Sequence, residues 1–133
     1  VIFKQPDSVQ RRSYPNEKRF LSPKPIRICD KASLESSNRV PLPRIVEGTV
    51  SVELAYEAKN QNVDELNYQP HLLKCSNGST KQILENTAEF ELTVLASSGE
   101  TKFVLVFRVE YKTQDGELTE EVLISSPFEV VAN

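Results

Sequence analysis

One histidine, two cysteines and four glycines in 133 residues leave little of the chemistry on which most enzymes depend. Nucleophilic catalysis needs a Ser or Cys beside a positioned base. The sole histidine, His71, follows Pro70 at the start of a predicted strand, and no G-x-S-x-G elbow occurs. Two cysteines and one histidine cannot supply the four ligands of a structural zinc site. The four glycines stand singly at turn-like positions, so there is neither a P-loop nor a dinucleotide fingerprint. Carboxylate pairs such as Glu120-Glu121 and Glu89/Glu91 alternate with apolar residues and are explained as the solvated faces of strands, not as an acid/base couple. The expectation is a protein that is not an enzyme, with no cofactor, metal or small-molecule substrate. No run approaches the roughly 18 apolar residues of a membrane span, and VIFKQPDS lacks the layout of a signal peptide, so a soluble chain without a membrane partner is expected. The chain opens at Val1 without a methionine and stops at Asn133 just after an apolar run, which suggests a piece of a longer protein.

Cys29 and Cys75 leave two readings open, a single bridge between strands or a pair of buried thiols, and the second leans to an intracellular compartment. Asn77-Gly78-Ser79 is a formal glycosylation sequon and also a common turn sequence.

Charge is unevenly spread. Residues 1–44 carry ten Lys/Arg against four Asp/Glu, and residues 45–133 carry six against fifteen, so halves of +6 and -9 make up the net -3. Such a body does not coat nucleic acid indiscriminately, but a basic segment on it confines anion binding to one edge.

The hydrophobic period is two. Phe90, Leu92 and Val94 alternate with Glu89, Glu91 and Thr93, and Thr101 to Tyr111 sets Phe103, Leu105, Phe107, Val109 and Tyr111 on one face. Thr49 to Ala55 repeats the pattern. Leu118 to Ser125 and Phe128 to Ala132 follow an Asp115-Gly116 hairpin signal, and Ser97 to Glu100 forms another turn. Pro25 to Cys29, His71 to Cys75 and Val1 to Lys4 are shorter candidates, and the polar stretch Glu57 to Tyr68 reads as a loop. Seven to nine short strands without a sustained helical period predict one all-β domain over residues 1–133, an immunoglobulin-like two-sheet β-sandwich.

Residues 10–27, QRRSYPNEKRFLSPKPIR, carry Arg11, Arg12, Lys18, Arg19, Lys24 and Arg27 against the single acid Glu17, a net +5. Three prolines bar a regular helix, so a loop projecting from one end of the sandwich is expected. Arg pairs bidentately with guanine, Asn with adenine, Glu accepts from cytosine N4 and Lys neutralises phosphate, a mixture suited to the major groove. Tyr14 is out of place in a loop that is merely solvated.

Ser13-Tyr14-Pro15-Asn16-Glu17-Lys18-Arg19-Phe20-Leu21-Ser22-Pro23-Lys24-Pro25 resembles the S-Y-G-N-E-K-R-F-F-C-P-P-P segment of the N-terminal Rel-like domain of CSL transcription factors, the nuclear effectors of Notch signalling. That resemblance implies a DNA-contacting loop in which Lys18 and Arg19 approach the major groove while Tyr14 and Asn16 fix the loop on the backbone. The stretch is also similar to the Rel/NF-κB loop R-x-R-Y-x-C-E, with Arg11, Tyr14 and Glu17 in matching places, which implies Glu17 as a cytosine reader. Pro15, Leu21, Ser22 and Lys24 depart from the CSL pattern, and Ser13 and Asn16 from the Rel pattern. Leu123 to Asn133 resembles the closing strand of CSL and STAT DNA-binding domains, which implies Asn133 as a DNA contact; an edge strand ending in a polar residue explains it equally. Thr87 to Tyr111 follows the hairpin layout of the matching part of CSL, whereas the β-trefoil that follows in CSL proteins is missing. The expectation is therefore a nuclear, sequence-specific binder of double-stranded DNA, contacting it through Arg11, Arg12, Tyr14, Asn16, Glu17, Lys18, Arg19, Lys24 and Asn133, as a homodimer or beside a second DNA-binding domain. An immunoglobulin-like protein-interaction or adhesion module is the alternative.

Overall fold

Alternation of apolar and polar side chains builds an all-β sandwich in the computed structural model, which describes residues 1–29, 45–60 and 62–132. Ten strands are present among the described residues: β1 Val9–Arg11, β2 Ile26–Cys29, β3 Ile45–Tyr56, β4 Leu73–Cys75, β5 Thr80–Gln82, β6 Thr87–Phe90, β7 Leu92–Val94, β8 Phe103–Thr113, β9 Leu118–Ile124 and β10 Glu129–Val131. One layer is a four-stranded sheet in the order β5-β3-β8-β9. The other is assembled from short pairs, β2 with β6 and β4 with β7, and β1 runs parallel to β10.

Ten strands exceed the expected seven to nine because several are only three residues long, too short to show a period. β1 and β5 were not foreseen, and the run through Phe90, Leu92 and Val94 divides at Glu91 into β6 and β7, which pair with different strands. The expected edge strand at Val1 to Lys4 is reduced to one bridge between Ile2 and Ile28.

The core lies between the layers. Val50, Val52 and Leu54 of β3 and Phe103, Leu105, Phe107 and Val109 of β8 meet Ile26, Ile28, Ala88, Phe90, Leu92, Val94, Phe128 and Val130. The opposite face of β8 is covered as well. Val104 and Val106 join Ala55 and Leu66 in a second cluster, closed over by Val63, Tyr68 and Ile124. The polar stretch before Tyr68 therefore lies over the sheet, with a single 3-10 turn at Val63–Glu65. The Tyr68 hydroxyl pins it by donating to the Val63 carbonyl at 2.6 Å and accepting from Arg108 at 3.1 Å. A run buried on both faces loses its period, which is why β8 reads as nearly continuous apolar sequence.

The turns obey local backbone chemistry. Asn77 and Gly78 both have positive φ, so the Asn-Gly pair is a turn, and Gly99 and Gly116 take left-handed φ in the other two predicted turns. One hairpin lacks glycine: Leu84 and Thr87 bond to each other across Glu85 and Asn86, at φ 52 and 63. Asn tolerates that region, but glutamate is disfavoured there by about 1 kcal/mol. Glu85→Asn should therefore raise stability by roughly 0.5 kcal/mol in urea unfolding.

Gly48 follows a β-bulge at Val46 and sits opposite Tyr111. A Cβ there would fall 2.8 Å from Tyr111 Cβ, 2.9 Å from the Glu110 carbonyl oxygen and 2.7 Å from Ile83 Cδ1. Glycine lets β3 and β8 approach at this crossing.

Cys29 and Cys75 are both thiols. Cys29 stands opposite Thr87 and Cys75 opposite Leu92. Five residues of extended chain separate those partners, about 16 Å at roughly 3.3 Å per residue, well beyond the ~7 Å Cα limit of a disulfide. The bridge left open by the sequence is excluded by this register. Burial pushes the Cys75 thiol above its ordinary pKa, with Lys81 opposing in part.

Candidate nucleic-acid interface

The basic segment is shorter as a loop than its sequence suggested. Gln10 and Arg11 belong to β1, Ile26 and Arg27 to β2, and the loop proper is 12–25. Arg27 is drawn into the sheet, its guanidinium 3.0 Å from the Glu89 carboxylate of the neighbouring strand. Two cis peptides, Ser22-Pro23 and Lys24-Pro25, bring the chain into β2.

Strand geometry sets the neck of the loop. β1 alternates exposed, buried, exposed, so Arg11 points outward and Gln10 inward. Gln10, only 4% exposed, uses both ends of its amide: Nε2 donates to the Asp7 and Ser22 carbonyls at 3.0 and 2.7 Å, and Oε1 accepts from the Ser22 N–H at 2.9 Å. The two arms of the loop are thereby clamped by one side chain. Leu21, fully buried, anchors the second arm in the core. The N–H groups of Ser13 and Leu21 donate to the carbonyls of Val94 and Leu92 at 2.8 and 2.7 Å, so the loop continues the sheet along the edge of β7 beyond the end of β2.

The tip is a turn locked from three sides. Glu17 N–H donates to the Tyr14 carbonyl at 3.0 Å, and Tyr14 N–H donates back to Glu17 Oε1 at 3.1 Å. Pro15, at the second position of this turn, has the φ that such a turn requires. Ser13, 2% exposed, donates from Oγ to the Glu17 carbonyl at 3.0 Å and accepts from the Arg19 N–H at 3.1 Å. The Tyr14 hydroxyl donates to the Ala132 carbonyl at 2.9 Å, and Arg12 N–H donates to that of Val131 at 3.0 Å.

These constraints bring Arg11, Arg12, Tyr14, Glu17, Arg19 and Ala132 around one shallow depression of about 200 Å³. The Arg12 guanidinium lies 4.2 Å from the Tyr14 ring centroid. Arg19 Nη2 is 3.7 Å from Glu17 Oε2, an exposed pair of little energetic worth that nonetheless biases where Arg19 rests. Asn16 and Lys18 are exposed at and just after the tip. Lys24 stands apart from the depression, its ammonium 4.3 Å from the Phe20 ring centroid. Asn133 lies outside the described residues, but its neighbour Ala132 is part of the assembly.

Sequence reasoning passed over Gln10 and undervalued Ser13, the two buried polar residues that hold the loop. The signal was weak: a glutamine inside a three-residue strand is conspicuous only once its neighbours are known to face solvent. His71 is exposed, and no cluster of three or more His, Cys, Asp or Glu suited to a metal occurs among the described residues. Among the described residues no helix is long and apolar enough to cross a membrane. No family model, curated protein or solved structure matches the chain.

Proposed function

We propose that this sandwich is the DNA-binding domain of a nuclear transcription factor, recognising double-stranded DNA through the 12–25 loop. The observation that carries the reading is the convergence of Arg11, Arg12, Arg19 and Tyr14 on one depression of a loop held rigid by buried side chains, on a chain otherwise acidic. A preorganised cationic loop loses little entropy on binding, and the acidic body disfavours non-specific attachment elsewhere. The resemblance of residues 13–25 to the CSL loop points the same way.

In this reading Lys18 and Asn16, at the tip, and Arg19, steered by Glu17, reach base edges, while Tyr14 and Ser13 hold the tip. Glu17 is assigned to holding the turn, because its carboxylate already accepts from Tyr14 N–H. Neutralised phosphates supply most of the affinity, and each well-made base pair contact supplies about 1–3 kcal/mol of discrimination.

The test is selection from a randomised duplex pool at two salt concentrations, with the chain and with Lys18→Ala/Arg19→Ala. Enrichment of a discrete motif, weakened by salt and lost in the double variant, is the expected result. Failure of the chain to enrich any motif would overturn the reading in favour of a protein-interaction module.

A further inference from the structure

Arg12 carries, at Nε, the one buried side-chain donor among the described residues that has no hydrogen-bond partner. Buried donors are almost always paired, so this one is unusual. Nε itself is sealed from outside, and it is through the remaining guanidinium donors of Arg12, which lines the depression, that an external acceptor can be met. The guanidinium is not free to turn away. Its backbone N–H is bonded to Val131, and its guanidinium carbon lies over the Tyr14 ring, 4.2 Å from the centroid, a ring itself tethered to Ala132. A guanidinium held by an aromatic ring presents a fixed fork of donors, the geometry that matches a phosphate. Arg11 and Arg19 line the same depression, against Glu17 alone, whose carboxylate is engaged by Tyr14 N–H and Arg19.

We infer that this depression is a seat for one backbone phosphate of duplex DNA, with Arg12 as its principal ligand and Tyr14 as the positioning residue that fixes the guanidinium. The inference rests on the DNA-binding reading and adds a division of labour to it: Arg12 registers the loop on the backbone and leaves base choice to the tip. A phosphate contact weakens all sequences alike and carries no base preference, whereas a base contact relaxes one position of the motif.

A double-substitution experiment on the selected duplex tests the seat. Single neutral methylphosphonate linkages are walked along both strands, and binding is measured for the chain and for Arg12→Gln, with Arg12→Lys as a second variant that keeps the charge but not the fork. Thermal melting of each variant is recorded so that loss of fold is not mistaken for loss of contact. The expected result is one linkage whose neutralisation weakens the unaltered chain about tenfold and leaves Arg12→Gln unaffected, with the motif unchanged. The slope of log K against log[salt] should fall in magnitude by about 0.9 in Arg12→Gln, and Arg12→Lys should restore the slope but not the full affinity. If no linkage is coupled to Arg12, or if Arg12→Gln relaxes a base position instead, the seat is overturned while the DNA-binding reading stands. If the unaltered chain binds no duplex, both fall together.

Discussion

Replacing Gln10 with alanine should lower the stability of the domain by about 3 kcal/mol, although the side chain removed is neither apolar nor charged. Three hydrogen bonds end on this amide, and they join Asp7, just before β1, to Ser22 in the second arm of the loop. Each is worth about 1 kcal/mol net, and a buried group left without a partner costs more. Gln10→Glu separates the polar effect from simple truncation. A carboxylate still accepts from Ser22 N–H but cannot donate to the two carbonyls, and it would bring charge into a site that is 4% exposed. It should therefore be no better tolerated than alanine despite its matching size. Urea unfolding checks the energies, and faster amide exchange at Ser13, Arg19 and Leu21 checks that the loop is what loosens. Stability unchanged in Gln10→Ala would mean that the loop is held by Leu21 and the Val94 and Leu92 carbonyls alone.

The second large effect lies near one end of the long β3–β8 pair. Gly48→Ala should destabilise by about 2 kcal/mol, and Gly48→Val by more, in the range of overpacked core sites. Ordinarily the change from glycine to alanine within a strand is favourable, since glycine loses more freedom on folding. Here the new methyl would meet a backbone oxygen at 2.9 Å and Tyr111 Cβ at 2.8 Å. Ile83 can rotate its terminal carbon aside, but the β8 backbone can yield only by shifting out of register with β3. Thermal unfolding reads the outcome directly, and a variant as stable as the parent would show that the crossing is looser than the close approach implies. The DNA binding proposed for the 12–25 loop should be unaffected at a temperature where the variant remains folded, since Gly48 lies in the other sheet, β5-β3-β8-β9.

β3 declares itself in the sequence by alternation with a solvated face, β8 by a long apolar run that alternates only toward its end, and β9 by the Asp115-Gly116 turn and its β-rich composition; their boundaries fall within a few residues of expectation. β1 and β5 are fixed instead by what they pair with, and three residues hold too little pattern to reveal a partner. The break at Glu91 is equally silent, because a strand that changes partners keeps its own alternation. The Glu85-Asn86 turn went unseen for want of a glycine. Composition singled out the basic segment, in which Arg11, Arg12 and Arg19 come to line one depression and Lys18 lies exposed outside it, since charge needs no partner to be recognised. It could not separate Arg27, taken by Glu89, or Lys24, resting on Phe20, from the cations that converge. Nor could it give Glu17 its place within the turn, because that depends on a hydrogen bond returning to the main chain of Tyr14.

The tether from Tyr14 to Ala132 joins positions 118 residues apart. Contacts of such separation form late in folding, after the entropy of closing the intervening chain has been met. At synthesis rates of roughly 5–20 residues per second, the tip of the loop is made some 6 to 24 s before the carbonyl that anchors it. During that interval β1 lacks β10, its parallel neighbour, and Arg12 and Tyr14 lack their acceptors. The emerging chain thus carries its cationic segment without the contacts that complete the depression, which arise only on arrival of β10. If the proposed DNA reading holds, a chain stopped before Val131 should consequently show ordinary electrostatic attraction to nucleic acid without preference for any sequence.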